Sequence, residues 1–342
     1  MSAELRVDLE QFRANVRTVR RRMAPAEVLV VIKDDAYAQG VEPIVGAALD
    51  AGATWFGGID IDSAVRAKRV AGDRARVFCW MTVSDEEART AIAEGLELGV
   101  GDAAYLERVA AIGGPVAIHL KIDTGLHRNG VRPEEWRAVC ERAAELEAAG
   151  RIRVAGIWSH IAEASDREDD IARAQFDDAV DTARAAGLTP GIRHLAASAA
   201  AWHRPEFRYE LVRIGAFCYG VRSADGPEIP GTAPISSLVA RVTDVGADEV
   251  EISLGSVDGY PSVLAGRTYA ATPAGPRGVL RVDPFGTRVA AWPGAAVGDE
   301  VTLFGPGTRG EPTPTDLGEL IDTVGEEPLL RVSPLVERVY TS

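Results

Sequence analysis

The chain has 342 residues, 46% of them apolar and 26% charged, with a formal charge of −14 at neutral pH; the length points to two domains, and the acidic balance excludes a nucleic-acid partner, which needs a basic face. Its three cysteines, Cys79, Cys140 and Cys218, stand at unrelated spacings and indicate neither a disulfide framework nor a zinc site or other metal centre, which fits a reducing compartment. No apolar run approaches the ~20 residues of a membrane span and the first residues lack the layout of a signal peptide, so a cytoplasmic location with no membrane contact is expected.

In chain order, Val7 to Met23 mixes apolar and polar residues at helical spacing, with Asp8 placed as a cap and Arg20-Arg21-Arg22 as a solvated helix end. Strand-like runs then recur at Val28 to Ile32, Trp55 to Ile59, Val77 to Met81, Glu97 to Val100, Val116 to Ile122, Val154 to Ser159, Ile192 to Leu195 and Leu211 to Ile214. Between most of them lie Ala/Glu/Arg-rich segments of helical period, such as Ile61 to Ala71, Asp85 to Ala93, Asp102 to Ile112, Glu134 to Ala149 and Asp169 to Ala186. This alternation is that of a (β/α)₈ barrel, with the eighth strand closing beside the first. After Gly220 the helical period fades, Gly and Pro become frequent, and short β-rich runs appear at Ile235 to Val245, Val250 to Leu254, Gly278 to Val282, Arg288 to Trp292 and Glu300 to Phe304. We therefore expect a barrel domain over residues 1–225 and a mostly β domain over 226–342, the latter with one short helix within Asp316 to Val324 and a closing strand within Leu329 to Tyr340.

In parallel barrels the chemistry collects where the strands end, because the loops there converge. The first barrel strand, an unbroken apolar run, stops at Lys33, and Tyr37 follows four residues later. A lysine so placed either reaches out to solvent or, partly desolvated, serves as an amine for Schiff-base formation with an aldehyde. The fifth strand runs into Lys121-Ile122-Asp123-Thr124-Gly125-Leu126-His127-Arg128; the sixth ends in Ser159-His160; the seventh leads to Ala197-Ser198-Ala199. In the eighth, Arg213 interrupts an apolar run and Gly215 lets main-chain amides approach a ligand. Loops after the seventh and eighth strands are the usual phosphate site of barrels, which makes Ser198, Gly215 and Ala216 a natural anion cradle. A lysine opposite a phosphate site points to pyridoxal 5′-phosphate.

Taken together, the Lys33 to Gly40 segment, Lys121 to Arg128, Ser159-His160, His194 to Ala199, Val212 to Gly220 and Asp258-Gly259-Tyr260-Pro261 resemble, in order and spacing, the motifs of the alanine racemase family of fold-type III pyridoxal-phosphate enzymes. The resemblance implies that Lys33 forms the Schiff base and serves one face of the substrate α-carbon, and that Tyr37, Ser198, Gly215 and Ala216 hold the phosphate. It implies that Arg213 partners the ring nitrogen, that His160 lies at the ring and contacts Arg213, and that Arg128 steadies the cofactor phenolate and the substrate carboxylate. Lys121 matches a lysine that is carbamylated in many relatives and orients that arginine. From the residue alone, His160 is equally well a core histidine with one hydrogen bond. The arginine assignment also makes physical sense by itself, since a guanidinium has only donors and leaves the ring nitrogen unprotonated, weakening the ring as an electron sink.

Racemisation needs an acid/base group on each face of the α-carbon. In the family the second is a tyrosine within Gly-Tyr-x-Asp-Gly-Tyr-Pro, supplied by the partner subunit; this chain reads Gly255-Ser256-Val257-Asp258-Gly259-Tyr260-Pro261. A serine hydroxyl with no activating base is a poor proton carrier near neutral pH. The family's Cys-Met-Asp segment keeps only Asp283, Pro334 stands where relatives have a phosphate-binding tyrosine, and Ala197 stands where an asparagine is common, although Arg338 and Tyr340 fit the family's ending. Three readings stay open. The chain is an amino-acid racemase whose second face is served by Tyr260, Tyr269, a cysteine or water; or an enzyme with a single-face outcome (decarboxylation, elimination, retro-aldol cleavage or cyclisation) on a larger amino acid; or a non-catalytic pyridoxal-phosphate carrier. The resemblance further implies a homodimer in which Ser256, Asp283 and the substrate contact Tyr260 act across the two-fold interface.

Overall fold

The computed structural model describes residues 3–82, 84–222 and 228–342. It divides into two compact units, one comprising Val19–Asp34 and Ala48–Gly215, the other Met1–Thr18, Asp35–Ala47 and Ala216–Ser342. The chain opens with strand β1 (Glu4–Asp8) and a helix at Leu9–Met23. The helix expected from Val7 is thus shorter at its start, because Leu5 and Val7 alternate inward on a strand, while Asp8 caps the helix through Oδ1, which accepts the Gln11 amide at 2.8 Å.

Eight parallel strands follow: β2 (Glu27–Val31), β3 (Trp55–Gly58), β4 (Arg76–Cys79), β5 (Glu97–Val100), β6 (Val116–Lys121), β7 (Ile152–Trp158), β8 (Ile192–His194) and β9 (Leu211–Ile214). Their order around the sheet is β8-β7-β6-β5-β4-β3-β2-β9, so the last strand pairs with the first, as the sequence predicts. No ladder joins β8 to β9 among the described residues; the Arg213 amide instead donates to the Ala196 carbonyl at 3.2 Å. Helices between the strands start where small polar caps allow, with Asp60, Ser84, Asp102 and Ser165 each accepting a first-turn amide.

Inside the barrel the side chains are aromatic and imidazole rather than aliphatic. Phe78 packs edge-on to Trp158 and His194 and tilted on His119, at centroid distances of 5.3, 5.4 and 4.7 Å, and Trp158 stacks flat on His194. Such large rings fit because facing positions are glycine. A Cβ on Gly99 would meet Trp80 and Trp158, and one on Gly156 would overlap the His119 imidazole and the Ile192 carbonyl oxygen. These glycines sit at ordinary strand φ, so space rather than backbone freedom requires them.

The other unit carries β10 (Ser236–Val245), β11 (Glu249–Ile252), β12 (Tyr269–Thr272), β13 (Gly275–Val282), β14 (Thr287–Ala290), β15 (Glu300–Phe304) and β16 (Glu337–Thr341). Since β11 pairs with β10 as well as β14, the strands β10-β15-β12-β13-β14-β11 close on themselves as an antiparallel ring, and β1 and β16 extend it beyond β10. This bears on the expected division at 225/226, which itself lies at residues outside those described. Residues at the chain start group with the C-terminal unit because β1 pairs antiparallel to β10 and parallel to β16, partners more than 200 residues away that composition cannot reveal. Two further differences are local: the short helix is Pro314–Leu320, capped by Thr313, and the expected closing strand is a helix at Glu326–Leu330 followed by β16. Among the described residues no helix is long and apolar enough to cross a membrane.

If Gly156 is required for space, Gly156→Ala should lower the unfolding free energy by about 1–3 kcal/mol, the usual cost of overpacking, as read from urea unfolding. Unchanged stability would show that His119 can move aside.

Candidate active site

β2 ends at Val31, and Lys33 opens a helical turn, Lys33–Ala38, of unusual hand. Asp34, Asp35, Ala36, Tyr37 and Ala38 have φ between 53° and 63°, so none is glycine and all are left-handed. That conformation costs about 1–2 kcal/mol per L-residue and persists only where its surroundings over-determine it. Within the unit that holds Asp35–Ala47, those surroundings are on view. The Gln39 and Gly40 amides donate to the Asp35 carbonyl at 3.0 and 2.9 Å, Arg338 Nε donates to the Ala38 carbonyl at 3.0 Å, and Tyr340 Oη donates to the Gln39 carbonyl at 3.0 Å. Arg338 and Tyr340, noted in the sequence only as a matching chain end, therefore brace the turn that follows Lys33. Tyr37 is buried there, its ring 4.6 Å from that of Tyr219. Lys33 itself is about one-third exposed, with Asp34 Oδ2 4.0 Å from its Nζ.

In the barrel unit, Arg213 is 5% exposed and holds the centre. Its Nη1 donates to His194 Nδ1 at 3.1 Å; its Nη2 has three acceptors for two N–H groups, the Ser159 and Leu195 carbonyls at 2.9 and 2.8 Å and His160 Nδ1 at 3.0 Å, so that one N–H is shared. Every partner is neutral, and no described carboxylate lies within ion-pair distance. Burial, with Arg128 nearby, pushes the guanidinium down to about 9, which still leaves it charged at neutral pH. Burial, followed by Arg213 and Arg128, presses the His160 imidazole down to about 3, so it is a neutral acceptor. The structure thus brings His160 and Arg213 together.

Around this guanidinium the cations continue. Lys121 bonds through Nζ to Asn129 Oδ1 and lies 4.4 Å above the Trp158 ring, which Arg213 also faces at 5.2 Å. Arg128 is exposed on the loop after β6. Ser198 and Gly215 meet, the Gly215 amide donating to Ser198 Oγ at 3.3 Å. The barrel mouth therefore has a surplus of donors and positive charge, a buried guanidinium without a counter-anion, and a primary amine at a strand end. Those features fit an anionic, phosphate-bearing group with an electrophilic carbon.

The alanine racemase N-terminal domain model matches residues 7–223. The chain belongs to the alanine racemase family. It is 35% identical to an alanine racemase of Thermobifida fusca (strain YX), covering 99% of this chain and 98% of that protein, and 36% identical to one of Frankia casuarinae, covering 98% and 95%. It superposes on the alanine racemase of the D-cycloserine-producing Streptomyces lavendulae with a TM-score of 0.93 at 29% identity, covering all of this chain and 97% of that one. The alanine racemase of Streptomyces coelicolor A3(2) gives 0.93 at 30% identity, with coverage of 100% and 98%.

Beyond the family's barrel motifs, the β unit brings two of the expected residues side by side. The Ser256 amide donates to the Asp283 carbonyl at 2.9 Å and the Val257 amide to the Pro284 carbonyl at 3.1 Å, and Gly255 permits this approach because a Cβ would strike both carbonyls. Ser256 is exposed, and the Asp283 carboxylate is held by Arg281 Nε at 2.9 Å. Tyr260 differs from expectation. It is 1% exposed, its hydroxyl has no partner among the described residues, and burial pushes it well up. All three cysteines are buried, and burial, the largest influence, raises Cys79 and Cys140 to about 12, which makes them poor proton carriers near neutral pH. Tyr269 remains exposed on β12.

The sequence reading passed over Arg76, Glu97 and His119, and it quoted His194 without a role; all four connect to Arg213. The signal was available, since Glu97 and His119 interrupt apolar strands just as Arg213 does.

Burial first, then Arg213 and Arg128, lower the Lys121 ammonium from 10.5 to about 7, with Asp123 pulling weakly the other way. Between those values the unfolded chain holds a proton that the folded chain lacks, so stability should rise with pH across that window. Lys121→Met should remove a slope approaching about 1.4 kcal/mol per pH unit in protein freed of bound anions, measured by urea unfolding. A slope that survives the substitution would show that the lysine does not titrate there.

Proposed function

We propose that the chain is a pyridoxal-phosphate-dependent amino-acid racemase of the alanine racemase type. The observation that supports it best is the buried Arg213 guanidinium, charged and with no carboxylate of the described residues at ion-pair distance, in a mouth that also holds Lys33, Lys121, Arg128 and the Ser198–Gly215 contact. Lys33 would hold the cofactor through Nζ, and Tyr37, Ser198, Gly215 and Ala216 would hold its phosphate. Pyridoxal phosphate, when bound, supplies an electron-withdrawing ring that acidifies the substrate's α-proton.

The remaining steps belong to the chain. Lys33 Nζ takes or returns the α-proton on one face. Arg213 would donate a hydrogen bond to the ring nitrogen of the bound cofactor but no proton, because a guanidinium stays charged. His160 accepts from Arg213 and so fixes its plane. Arg128, on the exposed loop, binds the substrate carboxylate. Lys121 beside it, near half-neutral at neutral pH, is chemically ready to take up carbon dioxide as a carbamate, which would give Arg128 the anionic partner that it lacks among nearby groups.

Ser256 and Asp283 are assigned to the substrate side of a site completed by a second copy. Exposed Val257 and Phe285, 55% and 81% accessible, flank them and support an interface there. Three buried cysteines that form no disulfide support a reducing, cytoplasmic setting. A second reading, a single-face outcome on a larger amino acid, is favoured by one observation: the exposed serine where the family's second proton carrier stands.

Purified protein should show the visible absorbance of lysine-bound pyridoxal phosphate, and Lys33→Ala should lose it; a spectrum unchanged by the substitution would refute the assignment. L-Alanine in deuterated water separates the two readings. Deuterated D-alanine from the wild type supports racemisation, whereas exchange with retention in the wild type and a gain of D-alanine of about 10²-fold in Ser256→Tyr places the deficit on the second face. No exchange with any of a panel of D- and L-amino acids would leave the carrier reading.

A further inference from the structure

Arg76 and Glu97 are the first residues of β4 and β5, at the end of the barrel away from the loops that follow the strands. Arg76 binds Glu97 with both Nε and Nη2, the latter at 2.7 Å from Oε2. Glu97 Oε2 lies 2.8 Å from His119 Nε2; His119 Nδ1 lies 2.9 Å from His194 Nε2; and His194 Nδ1 lies 3.1 Å from Arg213 Nη1. Glu97, His119, His194 and Arg213 are all buried. An unbroken line of four contacts therefore crosses the barrel interior from a half-exposed arginine on β4 to the buried one on β9.

The direction of every bond in that line follows from its ends. Arg213 can only donate, so His194 Nδ1 accepts and the His194 proton is on Nε2. That proton points at His119 Nδ1, which must accept, leaving the His119 proton on Nε2, aimed at Glu97. An ionised carboxylate can only accept, so the far end demands the same order independently. Burial alone would raise the Glu97 carboxyl, but the bonds from His119 and Arg76 pull it down to about 2, and burial keeps both imidazoles neutral. A simple structural ion pair would be complete with Arg76 and Glu97; two histidines in a forced tautomer order beyond it are not needed for that.

We propose that Glu97, held by Arg76, is a positioning residue for Arg213: it polarises a one-way relay through His119 and His194 that keeps the guanidinium oriented as a hydrogen-bond donor to the cofactor's ring nitrogen. This rests on the reading that Arg213 faces that nitrogen. Glu97→Gln breaks the relay without changing side-chain volume. With its amide oxygen toward His119, the Gln turns its NH₂ against the Arg76 donors; with the NH₂ toward His119, both tautomers are driven to reverse, and His194 Nδ1–H then collides with Arg213.

Two nitrogen-15 NMR measurements on the full chain test this. With labelled histidine, His119 and His194 in the wild type should both be neutral with the proton on Nε2, and Glu97→Gln should change both patterns; a proton on either Nδ1 in the wild type overturns the relay whatever the cofactor does. With ring-labelled pyridoxal phosphate bound, the ring-nitrogen signal in Glu97→Gln should move downfield toward free pyridine, and racemisation or α-proton exchange should fall about tenfold, the worth of one charge-assisted hydrogen bond. Histidine patterns that change while the ring signal stays put would show that Arg213 does not depend on Glu97 and overturn the proposal. Arg76→Leu, at a partly exposed position, should shift both signals in the same directions by less and serves if Glu97→Gln fails to fold. Failure of the cofactor to bind at Lys33 would strike the ring measurement alone and is seen separately in the visible spectrum.

Discussion

A positive charge buried without a carboxylate is the constraint on which the barrel interior depends. Desolvating a guanidinium costs several kcal/mol unless its donors are matched, and Arg213 has five of them. The fold meets this with two main-chain carbonyls and two imidazoles rather than with an anion. Imidazoles in turn need partners for their second nitrogens, which is why His119 and finally Glu97 are drawn into the interior, and why Gly156 leaves room beside them. One buried cation at the strand ends thus accounts for the polar groups drawn into the barrel interior.

A second constraint is the left-handed turn after β2. Five consecutive L-residues at positive φ are unfavourable in isolation, and the chain accepts them because the turn is bound by its own Asp35 carbonyl and by Arg338 and Tyr340 at the far end of the sequence. Lys33 and Tyr37 lie in that segment, so the strain is concentrated at the residues proposed to hold the cofactor. Such local strain is opposed by global pairing: β1 and β16 run parallel side by side and tie both termini of the chain into the same unit.

The two halves of the candidate site differ in how far they keep the family's chemistry. In the barrel, Lys33, Arg128, His160, Ser198, Arg213 and Gly215 occur in a geometry that needs no substitution to be explained. In the β unit, a serine stands at the position of the second proton carrier and rests against Asp283, whose carboxylate is paired with Arg281. Proton removal requires only the first half; inversion requires both.

Sequence alone determined the barrel, its closure of the eighth strand beside the first and most element limits, since buried parallel strands and amphipathic helices have distinct periods, and it also picked out Lys33 and Arg213 as residues that end or interrupt apolar runs and Ser198 as part of the loop after the seventh strand. It could not show that β1 belongs to the C-terminal unit, because ladder pairing between residues more than 200 positions apart leaves no local pattern. It placed Tyr260 at the substrate, whereas three-dimensional packing buries that phenol inside the β unit. Tertiary structure alone decided the relay from Arg76 to Arg213 and the hand of the turn after Lys33. Both arise from contacts among residues distant in the chain, where geometry rather than residue type settles which nitrogen meets which oxygen.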